Sequence, residues 1–202
     1  MNYFELDASS VGRGAGWKMI NYNTLQSDAP GLNPKIPWPD GHRVLSRGPW
    51  TLPAYVEAPH FVIDLKTGHA PRDIEVIDGF LFISRKFKAV FESLAPGACE
   101  FRSCTTEYLN GAPGPETWLC SVTGAFKEAV DIDNSVIRVS ALGLYMSTAV
   151  NRNYKFRQEV IMDAHIFTLA ETPKLLYCDE NFKAETRNSE IKGAIFKLVG
   201  KS

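Results

Sequence analysis

FLFISRKFKAVFESLAPGACEF, residues 80–101, is matched without a gap by LLYCDENFKAETRNSEIKGAIF at residues 175–196. The two stretches are identical at five of 22 positions: Leu81/Leu176, Phe87/Phe182, Lys88/Lys183, Ala89/Ala184 and Phe101/Phe196. Physical agreement runs further than identity. Each stretch has a short apolar run, an N-cap residue (Ser84, Asp179), a helical segment, a glycine stop (Gly97, Gly193) and a second apolar run, which together read as strand, helix, strand. The chain therefore predicts an internal duplication. The fold expected is α+β, a mostly antiparallel or mixed sheet with few helices that contains two related strand-helix-strand units. Residues 1–75 read as an irregular Pro/Trp-rich N-terminal part of the same domain, and residues 76–202 as the α+β core carrying the duplicated unit.

The first helix declares its buried face. Phe87, Val90, Phe91 and Leu94 stand at i, i+3, i+4 and i+7, one stripe at 3.6 residues per turn, made to pack on a sheet. In the second copy only Phe182, Ala184 and Ile191 are apolar between the strand runs, while Glu180, Lys183, Glu185, Arg187 and Glu190 are charged. That helix is expected at the surface, touching the core along a narrower line. The helix starts also differ in charge. Asp179 and Glu180 complement the positive end of a helix dipole, whereas Arg85, Lys86 and Lys88 oppose it by roughly 0.3–1 kcal/mol each. Two readings stand: these side chains point into water, or Arg85 and Lys86 form a positive patch for an acidic partner or an anion.

Bulk composition excludes several classes. With 202 residues, 45% hydrophobic and 22% charged, the chain can bury an ordinary core without covalent staples. A net charge of −1 argues against a general nucleic-acid binder or a protein attracted to anionic membranes. Cys99, Cys104, Cys120 and Cys178 show no CxxC spacing and read as thiols in a reducing compartment. MNYFELDASS has no apolar leader character, and no stretch approaches 18 uncharged apolar residues; a soluble cytoplasmic protein is expected.

Along the chain, the glycines at 12, 14 and 16 lack the helix start and Gly-Lys-Ser/Thr ending of a phosphate loop and read as a flexible loop. Residues 28–60 hold seven of the twelve prolines and both Trp38 and Trp50. This long irregular segment is either a lid with both tryptophans buried or a binding loop. HFVIDL at 60–65 alternates as a strand, with a turn after it. His60, Asp64 and His69 do not have metal-ligand spacing. Asn110-Gly111 and Pro113-Gly114-Pro115 mark a hairpin with a longer loop. Residues 98–134 carry six acidic and two basic side chains, either a solvated face or a dock for a basic partner. Asp131-Ile132-Asp133-Asn134 opens like a calcium loop, but Val136 and Leu142 stand where the glycine and the bidentate glutamate are needed. Residues 136–146 and 154–162 read as two strands joined around Asn151-Arg152-Asn153. Another strand begins at His165 and exits through Glu171-Thr172-Pro173.

ISRKFKAVFESL at 83–94, AVDIDNS at 129–135, HIFTLAETP at 165–173 and the closing repeat copy together resemble a family of immunity proteins from bacterial polymorphic toxin systems, family eleven. The likeness covers roughly the C-terminal 130 residues in order. It implies a cytoplasmic antidote, encoded by a gene adjacent to that of a delivered toxin, that binds the cognate toxin domain and blocks it. It brings no catalytic residue. The matched positions Ser84, Phe87, Asp131, Asp133, Ser135, Phe167, Asp179, Phe182, Gly193 and Phe196 imply structural roles.

The residues themselves agree. Four histidines without a nucleophile, acid or metal companion at local spacing give no constellation for catalysis; no cofactor and no metal site are expected. Partner binding is assigned to Trp38, Arg43 and Trp50 on the irregular segment, Trp118 beside the acidic hairpin, and Arg85 and Lys86, because tight complexes concentrate energy in aromatic and arginine anchors. The runner-up reading is a small hydrolase or transferase with a site at Asp163 and His165, read as sharing one face of a strand. A cysteine such as Cys104 or Cys178 meeting His165 is a further alternative. Oligomeric state is left open.

Overall fold

Both copies of the repeated stretch fold as strand, helix, strand in the computed structural model of the chain, which describes residues 1–9, 14–21, 52, 54–77, 80–141, 143–146 and 153–202. The first part of the chain holds β1 (Asn2–Ala8), β2 (Trp17–Met19), β3 (His60–Ile63), β4 (Ile74–Ile77), β5 (Phe80–Ser84), α1 (Arg85–Leu94) and β6 (Cys99–Tyr108). Next come β7 (Thr117–Val122), β8 (Ala125–Phe126), β9 (Val130–Val136), β10 (Arg138–Val139), β11 (Tyr145–Met146) and β12 (Asn153–Phe156). The last part holds α2 (Gln158–Ile161), β13 (Ile166–Leu169), β14 (Thr172–Asp179), α3 (Glu180–Asn188) and β15 (Ala194–Lys201). The fold is α+β, with mixed sheets and few helices.

The duplication is larger than the repeated stretch. One sheet runs β2-β3-β6-β7-β5-β4 and the other β8-β13-β14-β1-β15-β12-β9. In the first, β7 lies antiparallel between β5 and β6; in the second, β1 lies antiparallel between β14 and β15. β4 flanks β5 as β13 flanks β14, both antiparallel. β3 runs parallel to β6 as β12 does to β15, and β2 and β9 close the series antiparallel to β3 and β12. Register is kept at the same offset of 95 residues (80 to 175): Phe101 faces Cys120 and Phe196 faces Leu6, while Cys99 faces Val122 and Ala194 faces Ala8.

The chain therefore holds two copies of a unit of six strands and one long helix; the second copy is circularly permuted and adds β8 at its edge and the short α2. Unit one passes from β6 through the hairpin loop at 109–116 into β7. Unit two ends at β15 and takes the equivalent of β7 from the other end of the chain. Where unit one has its loop, the Ser202 amide donates to the Met1 carbonyl at 3.1 Å.

The units meet helix to helix. The Phe182 ring centroid lies 6.1 Å from that of Phe87 and 5.0 Å from that of Phe91, and all three residues are buried. One core cluster joins them to Ile74, Ile83, Cys120 and Val122 of unit one and to Phe4, Leu6, Ile166 and Cys178 of unit two. That cluster is continuous across both sheets, so the two units share one buried core. The opposite face of the second sheet buries Tyr3, Tyr154, Phe156, Phe167, Tyr177 and Val199; that of the first buries Phe61, Phe82 and Leu119 under Leu52.

Several expectations change. The narrow contact line of α3 is Phe182 and Thr186, with Ala184 exposed; Thr186 can be buried because its hydroxyl donates to the Phe182 carbonyl at 2.8 Å, satisfying its polar group. The second half of YKFRQEVIM is α2 rather than strand. In place of one strand over 136–146, Val136 ends β9 and the two-residue strands β10 and β11 follow. Thr172 begins β14, so the exit from β13 is a hairpin turn. Gly16 is no part of a flexible loop: a Cβ there would meet the Asp64 carbonyl, and one at Gly68 would meet the backbone of residues 14–16. Gly193 holds φ +93 with Arg72 and Ile74 3.0 Å from where a Cβ would lie, so conformation and space both require glycine.

Phe182→Ala should cost about 3–5 kcal/mol in denaturant unfolding, the usual range for emptying a buried phenylalanine site. A permuted chain with residue 202 joined to residue 1 and new ends between Ala112 and Pro113 should keep the parent's circular dichroism and unfold in one cooperative transition. Loss of that transition would refute the equivalence of β1 and β7.

Candidate partner-binding surface

The start of α1 is built by its cap. The Ser84 hydroxyl accepts from the Phe87 amide at 3.2 Å and donates to Asp73 Oδ1 at 2.6 Å. The second copy repeats the device with other chemistry: Asp179 Oδ1 accepts from the Phe182 amide at 2.8 Å, and His165 Nδ1 lies 2.8 Å from Asp179 Oδ2. Asp73 and His165 are equivalent residues. Their carbonyls accept from the Ser84 and Asp179 amides at 2.9 and 3.1 Å.

The sequence reading sets Asp163 and His165 on one face of a strand, and in the structure neither residue lies in a strand. Asp163 lies exposed in the turn after α2, and the carboxylate that His165 meets is Asp179, which is buried. The pair fixes a helix cap. Cys178 is buried in the core, and burial, with the Asp179 charge beside it, pushes its thiol pKa up; burial likewise raises Cys104 to about 12. Thiols so held are poor nucleophiles at neutral pH. All four cysteines are free.

The three cations at the start of α1 each have an acceptor. Arg85 Nη1 lies 3.3 Å from Glu116 Oε2, Lys86 Nζ donates to the Glu190 carbonyl at 2.9 Å, and Lys88 pairs with Glu92. Lys88 also stands over the rings of Phe101 and Trp118, at 4.9 and 5.7 Å. In unit two Lys183 stands over the Phe4 ring at 3.5 Å, and Phe4 is the register equivalent of Trp118. The identity of Lys88 and Lys183 thus has a physical reason: each covers, by a cation–π contact, an aromatic ring on the inserted strand. A further pair repeats with its polarity changed, since Asn2 Nδ2 donates to Glu180 Oε1 at 2.6 Å where unit one has Glu116 and Arg85.

Of the sequence candidates, Arg85 pairs with Glu116, just before β7, and Trp118 on β7 lies under Lys88 of the same helix as Arg85. Arg85 is 81% exposed and Trp118 is half-buried against the core. Lys86 reaches the other way, to the end of α3. Trp38, Arg43 and Trp50 lie outside the described residues. Sequence reasoning missed a second feature, an open apolar groove of about 510 Å³ lined by Ile63, Leu65, Tyr108 and Leu109. Leu65 and Leu109 are 55% and 64% exposed, and both sit in turns, where apolar side chains are not expected to gather.

The AVDIDNS motif forms a bulge on the edge strand β9. Asp131 Oδ2 accepts from Asn134 Nδ2 at 2.7 Å, and the Lys155 amide donates to Ser135 Oγ at 2.8 Å. The Asn134 side chain, ahead of its backbone, holds the Asp131 carboxyl below its usual range. Asp131 thus caps its own loop. Among the described residues no group of three or more His, Cys, Asp or Glu could hold a metal ion, and no helix is long and apolar enough to cross a membrane.

These surfaces offer recognition chemistry: an exposed guanidinium at the start of α1, a half-buried tryptophan on β7, and an apolar groove between two turns. Comparison with curated proteins finds no match. The model of one family matches residues 14–201, from the glycine pair at β2 through the whole of β15, and by that match the chain belongs to the immunity protein family Imm11.

Proposed function

We propose that this protein is the antidote to a bacterial polymorphic toxin: it binds the cognate toxin domain in the cytoplasm and neutralises it by covering its active or substrate-access surface. Family membership over residues 14–201 carries the reading. An immunity protein acts by occupancy and transforms nothing, and His165, set against the helix-capping Asp179, fits that role. The toxin is encoded beside the antidote, so that sister cells survive and competitors do not. No nucleic acid or membrane takes part.

Arg85 and Trp118 anchor the complex, with Lys86 at its margin. An arginine and a tryptophan, held in place by Glu116 and by Lys88, meet the partner with little ordering cost, which is how a few residues come to dominate an interface. Trp38, Arg43 and Trp50 are further partner-binding residues in this proposal.

Coexpression with an inactivated toxin domain from the neighbouring reading frame should give a complex that survives gel filtration, and the antidote should rescue cells making the active form. Absence of both effects overturns the proposal. Arg85→Glu and Trp118→Phe should each weaken the complex by about tenfold or more, roughly 1.4 kcal/mol, without lowering the melting temperature of Arg85→Glu. His165→Ala should lower unfolding free energy by about 0.5–2 kcal/mol, the range for a lost cap, and leave the complex intact. A turnover that vanishes in His165→Ala protein of unchanged stability would argue for an enzyme.

A further inference from the structure

We infer that the gap between β14 and β15 is a strand-binding slot that accepts β1 from a second copy of the chain as well as from its own, giving a strand-swapped dimer. The slot is defined by its walls. β14 and β15 run parallel, too far apart to pair directly, and both turn hydrogen-bonding edges toward one antiparallel strand. Its ligand is an extended peptide with the pattern of residues 2–8: Phe4 and Leu6 on one face for the helix-side core, and Tyr3 on the other for the aromatic cluster.

Unit one shows how such a slot is ordinarily filled. β7 is tied to a wall, β6, by a loop of eight residues (109–116), so it cannot leave without reopening its own hairpin. β1 has no such tie to either wall. It joins unit two through pairing, through Tyr3 Oη donating to Gln158 Oε1 at 2.8 Å, and through Asn2 on Glu180, while its covalent connection runs to β2 in unit one. The family match begins at residue 14, so both walls lie in the family's own stretch and the strand that fills them does not.

The β1 pairings made in an exchanged pair are those made within one chain. The balance between the two forms then depends on tether strain and protein concentration, with strand contacts cancelling, the condition under which exchange of an identical element is cheap. A swapped dimer would carry the Arg85 and Trp118 surface twice.

Asp7 and Ile195 face each other across β1 and β15, on the exposed part of the sheet, with Ile195 40% exposed. Full-length Asp7→Cys protein mixed with full-length Ile195→Cys protein, then mildly oxidised, should yield a disulfide-linked heterodimer of twice 22.5 kDa. Asp7→Cys mixed with Ile132→Cys should not. Light scattering of the unmodified chain should show mass doubling as concentration rises. The inference falls if the 7/195 mixture links no more than the 7/132 mixture while the double variant Asp7→Cys/Ile195→Cys closes the bond within its own chain. It falls equally if the double variant fails to close, since β1 would not then lie beside β15.

Discussion

The contact of Phe182 with Phe87 and Phe91 is the constraint from which the rest of the architecture follows. Each unit lays one long helix on the same face of its sheet, and that helix alone cannot cover the apolar surface the face presents. Alone, unit one would expose part of Phe91, and unit two would expose Phe182, the only large apolar side chain that α3 offers. Packed together, the helices complete one another's burial, and the core cluster runs unbroken from Val122 to Cys178. The interface resembles a dimer contact held within one chain, with the burial of three aromatic rings as its main term. The seam beside it is polar and specific: the Asp73 amide and carboxylate grip the backbone of Lys192, and Arg72 donates to the Ser9 carbonyl.

What the copies have kept and what they have changed separate cleanly along this interface. Leu81/Leu176, Phe87/Phe182 and Phe101/Phe196 are equivalent core positions, and Lys88/Lys183 is an equivalent cover for a ring. Where the contact is polar, the geometry persists and the chemistry moves. Ser84 on Asp73 becomes Asp179 on His165, and Arg85 on Glu116 becomes Glu180 on Asn2. Each exchange keeps a donor facing an acceptor, which the buried cap demands, while reversing the charge shown to solvent at Arg85 and Glu180. The scaffold is doubled, yet its two helix starts present different surfaces.

Much of this was legible in the residue order because it is local. The α1 stripe repeats every 3.6 residues, and Phe87, Val90 and Phe91 are buried as it predicts; the caps at Ser84 and Asp179 sit three residues before the amides they satisfy. The hairpin at Asn110-Gly111 announces itself by turn chemistry, with φ +80 at Gly111. The failures are of two kinds. α2 is four residues long and has no side-chain cap at Arg157, so it shows no period to read. The partners of Arg85, Lys86 and His165 lie 14 to 104 positions away, and nothing in local spacing points to them. Leu65 and Leu109 were overlooked because turn residues are read for their backbone preferences, which says nothing about where two turns from parallel strands come to rest.

β1 is the deepest case of the second kind. As a string, Tyr3-Phe4-Glu5-Leu6 is a short strand at one end of the chain, indistinguishable from an appendage. Its meaning comes from the register: Leu6 faces Phe196 just as Cys120 faces Phe101, which makes it the last strand of a unit whose other five begin 128 residues later, at Val130 (130 − 2 = 128). A repeat search at the 95-residue offset cannot find it, because permutation has carried it off the end of the alignment. The same fact bears on folding. Unit one can close as soon as β7 exists, whereas unit two needs both ends of the chain, so its sheet is the one of higher contact order and the slower to complete. The helix interface, which needs both sheets in place, thus depends on a strand that lies 128 residues before the rest of its unit.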